Sequence, residues 1–256
     1  MDDFLSNFVL KEEEQQLSDS KKDVLKFLKQ IGADSRFVSY IDDNGEVKLY
    51  IENLRFSKFS RKRTETFNKH YPDIEVVRSS LFQKISTRAS KTLAESLNPK
   101  ETILIPKMDN EYNKFLYILI EPYSRKYGID FIEYGEGIDF DEIDSIISPL
   151  NLNQEVNHIL NDIFDGKGID WEKKVKDTYS YYNIVERHDD IGVVFPLINV
   201  PEEWINDFLG IENEYIIDYD NEDIGESFMG FLSEVNPQFK ENVLAASSFL
   251  ESHQKQ

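Results

Sequence analysis

The chain has 256 residues and a formal net charge of -20, with 40% hydrophobic and 13% aromatic side chains and no cysteine. That length allows one large domain or a core with smaller appendages, and the apolar fraction is enough to bury a core. Without cysteine, this sequence has no disulfide, thiolate nucleophile, cysteine-held iron–sulfur cluster or cysteine-ligated zinc.

The mean hydropathy is -0.51, and no apolar run nears the roughly 20 residues of a membrane span. The acidic opening MDDFLSNFVLKEEEQQ lacks the basic-then-apolar order of a signal peptide. A soluble cytoplasmic protein without membrane contact is expected. His70, His158, His188 and His253 show no metal-ligand spacing, and no Gly-x-Ser-x-Gly turn offers a nucleophile. No metal site, cofactor or catalytic residue is expected from these groups.

In chain order, residues 1–20 read as an acidic lead, disordered in part or weakly helical. KKDVLKFLKQIG (21–32) has helical apolar spacing and stops at Gly32. RFVSYIDDNGEVKLYIENL (36–54) alternates on both sides of Asp-Asn-Gly and predicts a β-hairpin. RKRTETFNKHY (61–71) predicts a short basic helix, IEVVRSS a short strand, and LFQKISTRASKTLAESL (81–97) an amphipathic helix ended by Asn98-Pro99.

The pattern then changes. ETILIP (101–106) suits a strand buried on both faces. Residues 109–128 predict a helix capped by Asp109, kinked or cut at Pro122 and closed by Gly128. Strands are expected at 129–135 and around Ser145-Ile146-Ile147, and a helix at 153–168. The tyrosine-rich stretch 169–190 reads as a loop with some helix. VVFPLINVPEEWINDFLG (193–210) predicts a strand and then a helix, and 225–254 two helices broken at Asn236-Pro237. This order predicts an α/β class: a parallel sheet with flanking helices (99–256) after an N-terminal hairpin and helical extension (1–98).

ETILIPKMDNEYNKFLYILIEPYSRKYGIDFIEY resembles the first strand–loop–helix–strand of PP-loop ATP pyrophosphatases. In that family a Ser-Gly-Gly-x-Asp-Ser loop cradles pyrophosphate with backbone amides. The loop position here holds Pro106, Lys107, Met108, Asp109, Asn110 and Glu111, without those glycines and serines. PLNLNQEVNHILNDIFDGKGI resembles the Gly-His-Asn-x-Asp-Asp motif, with Asn153 and Gln154 standing for its paired acids. FPLINVPEEWINDFL and the closing helices resemble the C-terminal part of tRNA-thiolating members. The matches keep order and spacing over about 100–250.

The resemblance is nearest to the cytoplasmic tRNA 2-thiolation protein 2 family. The short 138–150 link and the absence of cysteine carry that choice, and Tyr50 and Asn53 stand where such proteins place a Cys-x-x-Cys pair. It implies a degenerate nucleotide loop and a non-catalytic subunit. Such a subunit would form a heterodimer with a catalytic thiolation subunit acting on the wobble uridine of tRNAs for lysine, glutamine and glutamate. No DNA partner is implied.

Across 55–91 ten basic residues face only Glu65, Asp73 and Glu75. Arg55, Lys58, Arg61, Lys62 and Arg63, interleaved with Phe56, Phe59 and Phe67, are the candidate RNA-binding group. The plain alternative is a solvated helix face over core phenylalanines, and a further one is a surface for an acidic partner. Lys107 is either a phosphate contact or a surface lysine. Asp139, Asp141, Glu142 and Asp144 read as a solvated acidic run rather than a magnesium site, and Trp171 and Trp204 as packing anchors. Two other functions stay open: a diverged nucleotide-binding enzyme of the PP-loop class, and an interaction scaffold unrelated to tRNA.

Overall fold

A computed structural model of the chain describes residues 20–43, 45–184, 191–211 and 224–254. The expected acidic lead lies, but for its last residue, outside them, as do His188, the hairpin's Asn44 and the end of the tyrosine-rich stretch. The chain divides into two compact units. The first takes Met1–Gln83 and Ile118–Lys126, and the second Lys84–Tyr117 and Tyr127–Gln256.

The first unit holds helix α1 (20–30), strands β1 (Val38–Asp43) and β2 (Glu46–Ile51), helices α2 (Leu54–Ser57) and α3 (Arg61–His70), and strand β3 (Glu75–Val77). The hairpin forms as expected, with Val38 opposite Ile51 and Asp43 opposite Glu46, and β3 adds to β2 in parallel. Gly45 beside the turn has φ +89, a conformation that alanine or valine would resist. Val24 and Leu28 of α1, one helical turn apart, are buried with Leu49, Phe59 and Phe67. Burying Phe59 and Phe67 completely removes about 1.5–3 kcal/mol of apolar exposure each.

This unit also buries charge. The carboxylate of Glu121, 1% exposed, accepts from Lys21 Nζ at 2.8 Å, Arg125 Nη2 at 2.8 Å and the Tyr40 amide at 3.1 Å. Arg125 donates onward to Val38 O at 2.6 Å. Burial pushes the Glu121 carboxyl up, but the hydrogen bonds and charges of Arg125 and Lys21 outweigh it and hold the group below its usual range. Glu52 meets Lys126 Nζ at 2.7 Å, yet burial dominates and pushes its pKa to about 7.

The second unit is a four-stranded sheet with order β5-β4-β6-β7 and every pairing parallel, confirming the α/β class. Its strands are β4 (Thr102–Ile105), β5 (Asp130–Glu133), β6 (Ser145–Ile147) and β7 (Gly192–Val194). Central β4 and β6 are apolar runs with Ile103, Leu104, Ile146 and Ile147 buried, whereas edge β5 is mostly exposed.

Helix α4 (Ser80–Ser96) precedes β4, α5 (Glu111–Ile120) and α6 (Tyr123–Tyr127) connect β4 to β5, and α7 (Leu152–Phe164) and α8 (Lys173–Tyr181) connect β6 to β7. The break between α5 and α6 falls at Pro122, as its missing donor requires. The tyrosine-rich stretch is more ordered than its polarity predicts, because α8 turns Tyr179 inward and Tyr182 follows it into the core with Leu104 and Ile146.

Helix α9 (Glu202–Leu209) follows β7, and α10 (Ile224–Val235) and α11 (Phe239–Gln254) close the chain. Leu152, Val156 and Leu160 of α7 pack with Met229 and Leu244. Gly225 lets α10 approach α7 closely: a Cβ there would stand 2.5 Å from the side-chain oxygens of Asn157 and Asn161. Among the described residues, no helix is long and apolar enough to cross a membrane.

Candidate functional site

Central strands β4 and β6 feed crossovers that run to opposite sides of the sheet. In open parallel sheets ligands bind beyond the carboxyl ends of such a strand pair. Two loops end there: residues 106–111 after β4, leading into α5, and 148–151 after β6, leading into α7.

In the first loop Pro106 is buried, while Lys107, Asp109, Asn110 and Glu111 are exposed and Met108 is half-buried. The cap of α5 is Asn110, not the expected Asp109: Asn110 Oδ1 accepts from the Asn113 amide at 2.8 Å. The buried Asn113 amide group donates to Lys107 O at 2.8 Å and Tyr181 Oη at 3.0 Å, which holds the loop against α8. Glu133, at the end of β5, accepts from the Met108 amide at 2.7 Å. A phosphate seeking that amide would have to replace a carboxylate.

In the second loop Asn151 and Gln154 form a reciprocal capping box, with 3.0 Å from Gln154 N to Asn151 Oδ1 and 3.1 Å in return. Tyr112 Oη donates to Pro149 O at 2.9 Å and accepts from Asn151 Nδ2 at 3.3 Å, joining the two loops. Thr178 Oγ1 donates to buried Ser148 Oγ at 2.8 Å. The two loops are thus joined by amides and hydroxyls bonded to one another, and exposed Lys107 stands among the exposed acids Asp109, Glu111 and Glu133. Tyr112, Asn113, Glu133 and Tyr181 are not singled out by the sequence. Only the helical register of Tyr112 and Asn113 at the start of α5 hints at them.

The amides aligned with a family acid pair have structural roles. Gln154 serves the capping box. Asn153 Oδ1 accepts from Lys240 Nζ at 3.2 Å, and its Nδ2 donates to Glu203 Oε2 at 3.2 Å, tying α7 to α9 and α11. Burial pushes the Glu203 carboxyl up, but the Lys240 and Asn153 contacts prevail and hold it low.

In the acidic run Asp139 caps a short turn by accepting from Asp141 N, Glu142 ends that turn, and Asp144 accepts from Thr102 N of β4 at 2.7 Å. Trp204 lies under Lys84 Nζ at 3.5 Å and Arg88 at 4.2 Å from its ring centre, and Arg88 also reaches Glu241 at 2.9 Å.

The basic group belongs to the first unit. Arg55, Lys58, Arg61 and Lys62 are exposed, and none of the four has an ion pair among the described residues. Arg63 differs: its guanidinium donates to Lys58 O and lies against Gly32, bracing the α2–α3 turn. Lys58 takes φ 53 there. Arg78 is likewise spent on Phe59 O and Thr64 Oγ1, each at 2.8 Å. Of the interleaved aromatics, Phe59 and Phe67 are fully buried, while Phe56 is 54% exposed against Phe37.

No family model matches the chain, and no curated protein matches it. Among solved structures it is similar to the U34-tRNA thiolase NcsA from Methanococcus maripaludis with its [4Fe-4S] cluster. The identity is 12%, covering 73% of this chain and 84% of that one, with a TM-score of 0.47. The expectation that the chain is not an enzyme is corrected: the solved structure that it is similar to is that of a thiolase.

Proposed function

We propose that this protein takes part in 2-thiolation of the wobble uridine of tRNA, touching the tRNA backbone with the exposed cations of α2 and α3. The observation that carries the reading is Arg55, Lys58, Arg61 and Lys62 standing exposed, without an ion pair among the described residues, on a chain of net charge -20. Acids elsewhere would neutralise them cheaply, and neutralising phosphates instead releases counterions. A heterodimeric partner subunit fits the reading, because the cysteine thiolates of sulfur transfer are absent from this sequence. The target tRNAs are those for lysine, glutamine and glutamate.

The test is tRNA binding by fluorescence anisotropy across a salt series. The affinity falls with salt, and Arg61→Glu with Lys62→Glu lowers it and flattens the slope by about one unit for each phosphate no longer neutralised. Binding that ignores salt and both substitutions sinks the proposed tRNA surface. Unchanged tRNA thiolation after deletion of the gene sinks the wider reading.

A second reading is a nucleotide held between the β4 and β6 loops. The exposed Lys107 beside the start of α5 favours it. Calorimetry with ATP and magnesium tests it: heat of binding that Lys107→Ala abolishes supports the nucleotide, and no heat refutes it.

A further inference from the structure

Helix α10 exposes a row of large apolar side chains. Ile224 is 64% exposed, Phe228 38%, Phe231 62% and Val235 71%. Their spacing of four, three and four residues is the heptad seam of a helix that packs along another helix. The opposite face is already used, since Gly225 and Met229 are buried against α7. Phe164 at the end of α7 extends the row, its ring 5.3 Å from Phe228, and Ile163 beside it is 52% exposed. Together these six side chains present on the order of 600 Å² of apolar surface, at the top of the range for the largest patch on a monomer and at the lower end of what each partner gives a specific interface.

We propose that a second copy of this chain covers the row, with the two α10 helices packed antiparallel about a twofold axis. The seam is self-complementary. With the axis midway between Phe228 and Phe231, Phe228 meets the second copy's Phe231, and Ile224 meets its Val235. Ser227, on the flank of the row, is small, which allows close helix approach. The bordering acids Glu226, Glu234, Asp162 and Asp165 disfavour an anionic membrane surface as the occupant. The proposal is independent of the tRNA reading.

Sedimentation equilibrium of the full chain tests it. A reversible dimer is expected, strengthened by added salt because each copy carries -20. Phe231→Glu weakens it by about thirtyfold or more, as loss of a central apolar anchor does, and Val235→Glu gives a second readout. Each variant is checked for native circular dichroism. The chain has no cysteine, so Ser227→Cys with a short bismaleimide links only two copies and yields a covalent dimer. A monomer up to about 100 µM, a dimer that both glutamates leave intact, a dimer weakened by salt, or a failure of the Ser227→Cys link each overturns the proposal.

Discussion

The first unit buries a carboxylate at 1% exposure among three donors, while the strands at the centre of the second unit's sheet are wholly apolar but for one serine and one threonine. Each arrangement follows from its backbone. A parallel sheet covered by crossover helices has no wet face, so its central strands carry Ile and Leu, with Thr102 and Ser145 only at their starts. The three-stranded sheet of the first unit is too small to form a core from its strands alone, so it recruits α1 and residues 118–126. Glu121 and Arg125 of that segment satisfy the Tyr40 amide and the Val38 carbonyl. The comparison teaches that the small hairpin unit adds a buried ion cluster to its apolar core, whereas the central strands of the sheet unit rely on apolar packing.

Breaking the ion geometry gives the largest effect. Glu121→Ala leaves Lys21 and Arg125 without their acceptor and costs about 3–5 kcal/mol in urea unfolding. A loss within about 1 kcal/mol would place the cluster among weak surface pairs.

Next comes pH, acting through Glu52. Its folded-state pKa of about 7 lies above its ordinary 4.5, so the folded form holds the proton more tightly than the unfolded one. Its contribution is therefore fully present below pH 4.5 and is lost as the pH rises through 7, by on the order of 3 kcal/mol. Glu121 has the opposite sign: its contribution is present above the ordinary carboxylate range and is lost as the pH falls below it. Glu52→Gln flattens the decline between pH 4.5 and about 7. An unchanged decline in that variant would assign it to another group.

In the sheet unit the test is volume. Gly225→Ala drives a methyl against Asn157 and Asn161 and costs about 1–3 kcal/mol, read as a lower thermal midpoint. Thermal stability equal to the parent would mean that α10 can move away from α7. The smallest expected effect is Tyr112→Phe, which removes the hydroxyl joining the two loops and costs about 1 kcal/mol. If faster amide exchange spreads beyond 106–111 and 148–152 in that variant, the bond supports more than the crevice.

The α/β class, the hairpin, the longer helices other than α8 and the break at Pro122 were legible because each depends on local periodicity and turn chemistry, whereas α2 was not marked. The concentration of positive charge across 55–91 was legible too. Its division was not: Arg63 and Arg78 read like their neighbours until α2 and α3 place backbone carbonyls within their reach. The same holds at the crevice. Residues 106–111 were marked as a loop, but the bonds of Met108 to Glu133, Asn113 to Tyr181 and Tyr112 to Pro149 join positions distant in the chain.

By itself, then, the sequence determined the strands, the helices, the charge pattern and the absence of thiol chemistry, because these follow from residue type and near neighbours. Only the tertiary structure decided which cations stay exposed, which carboxylates are buried, and that α10 turns its phenylalanines outward. Those outcomes depend on what packs across distances that no local pattern records: Gly225 fits α7, and Ile224, Phe228 and Phe231 are left over.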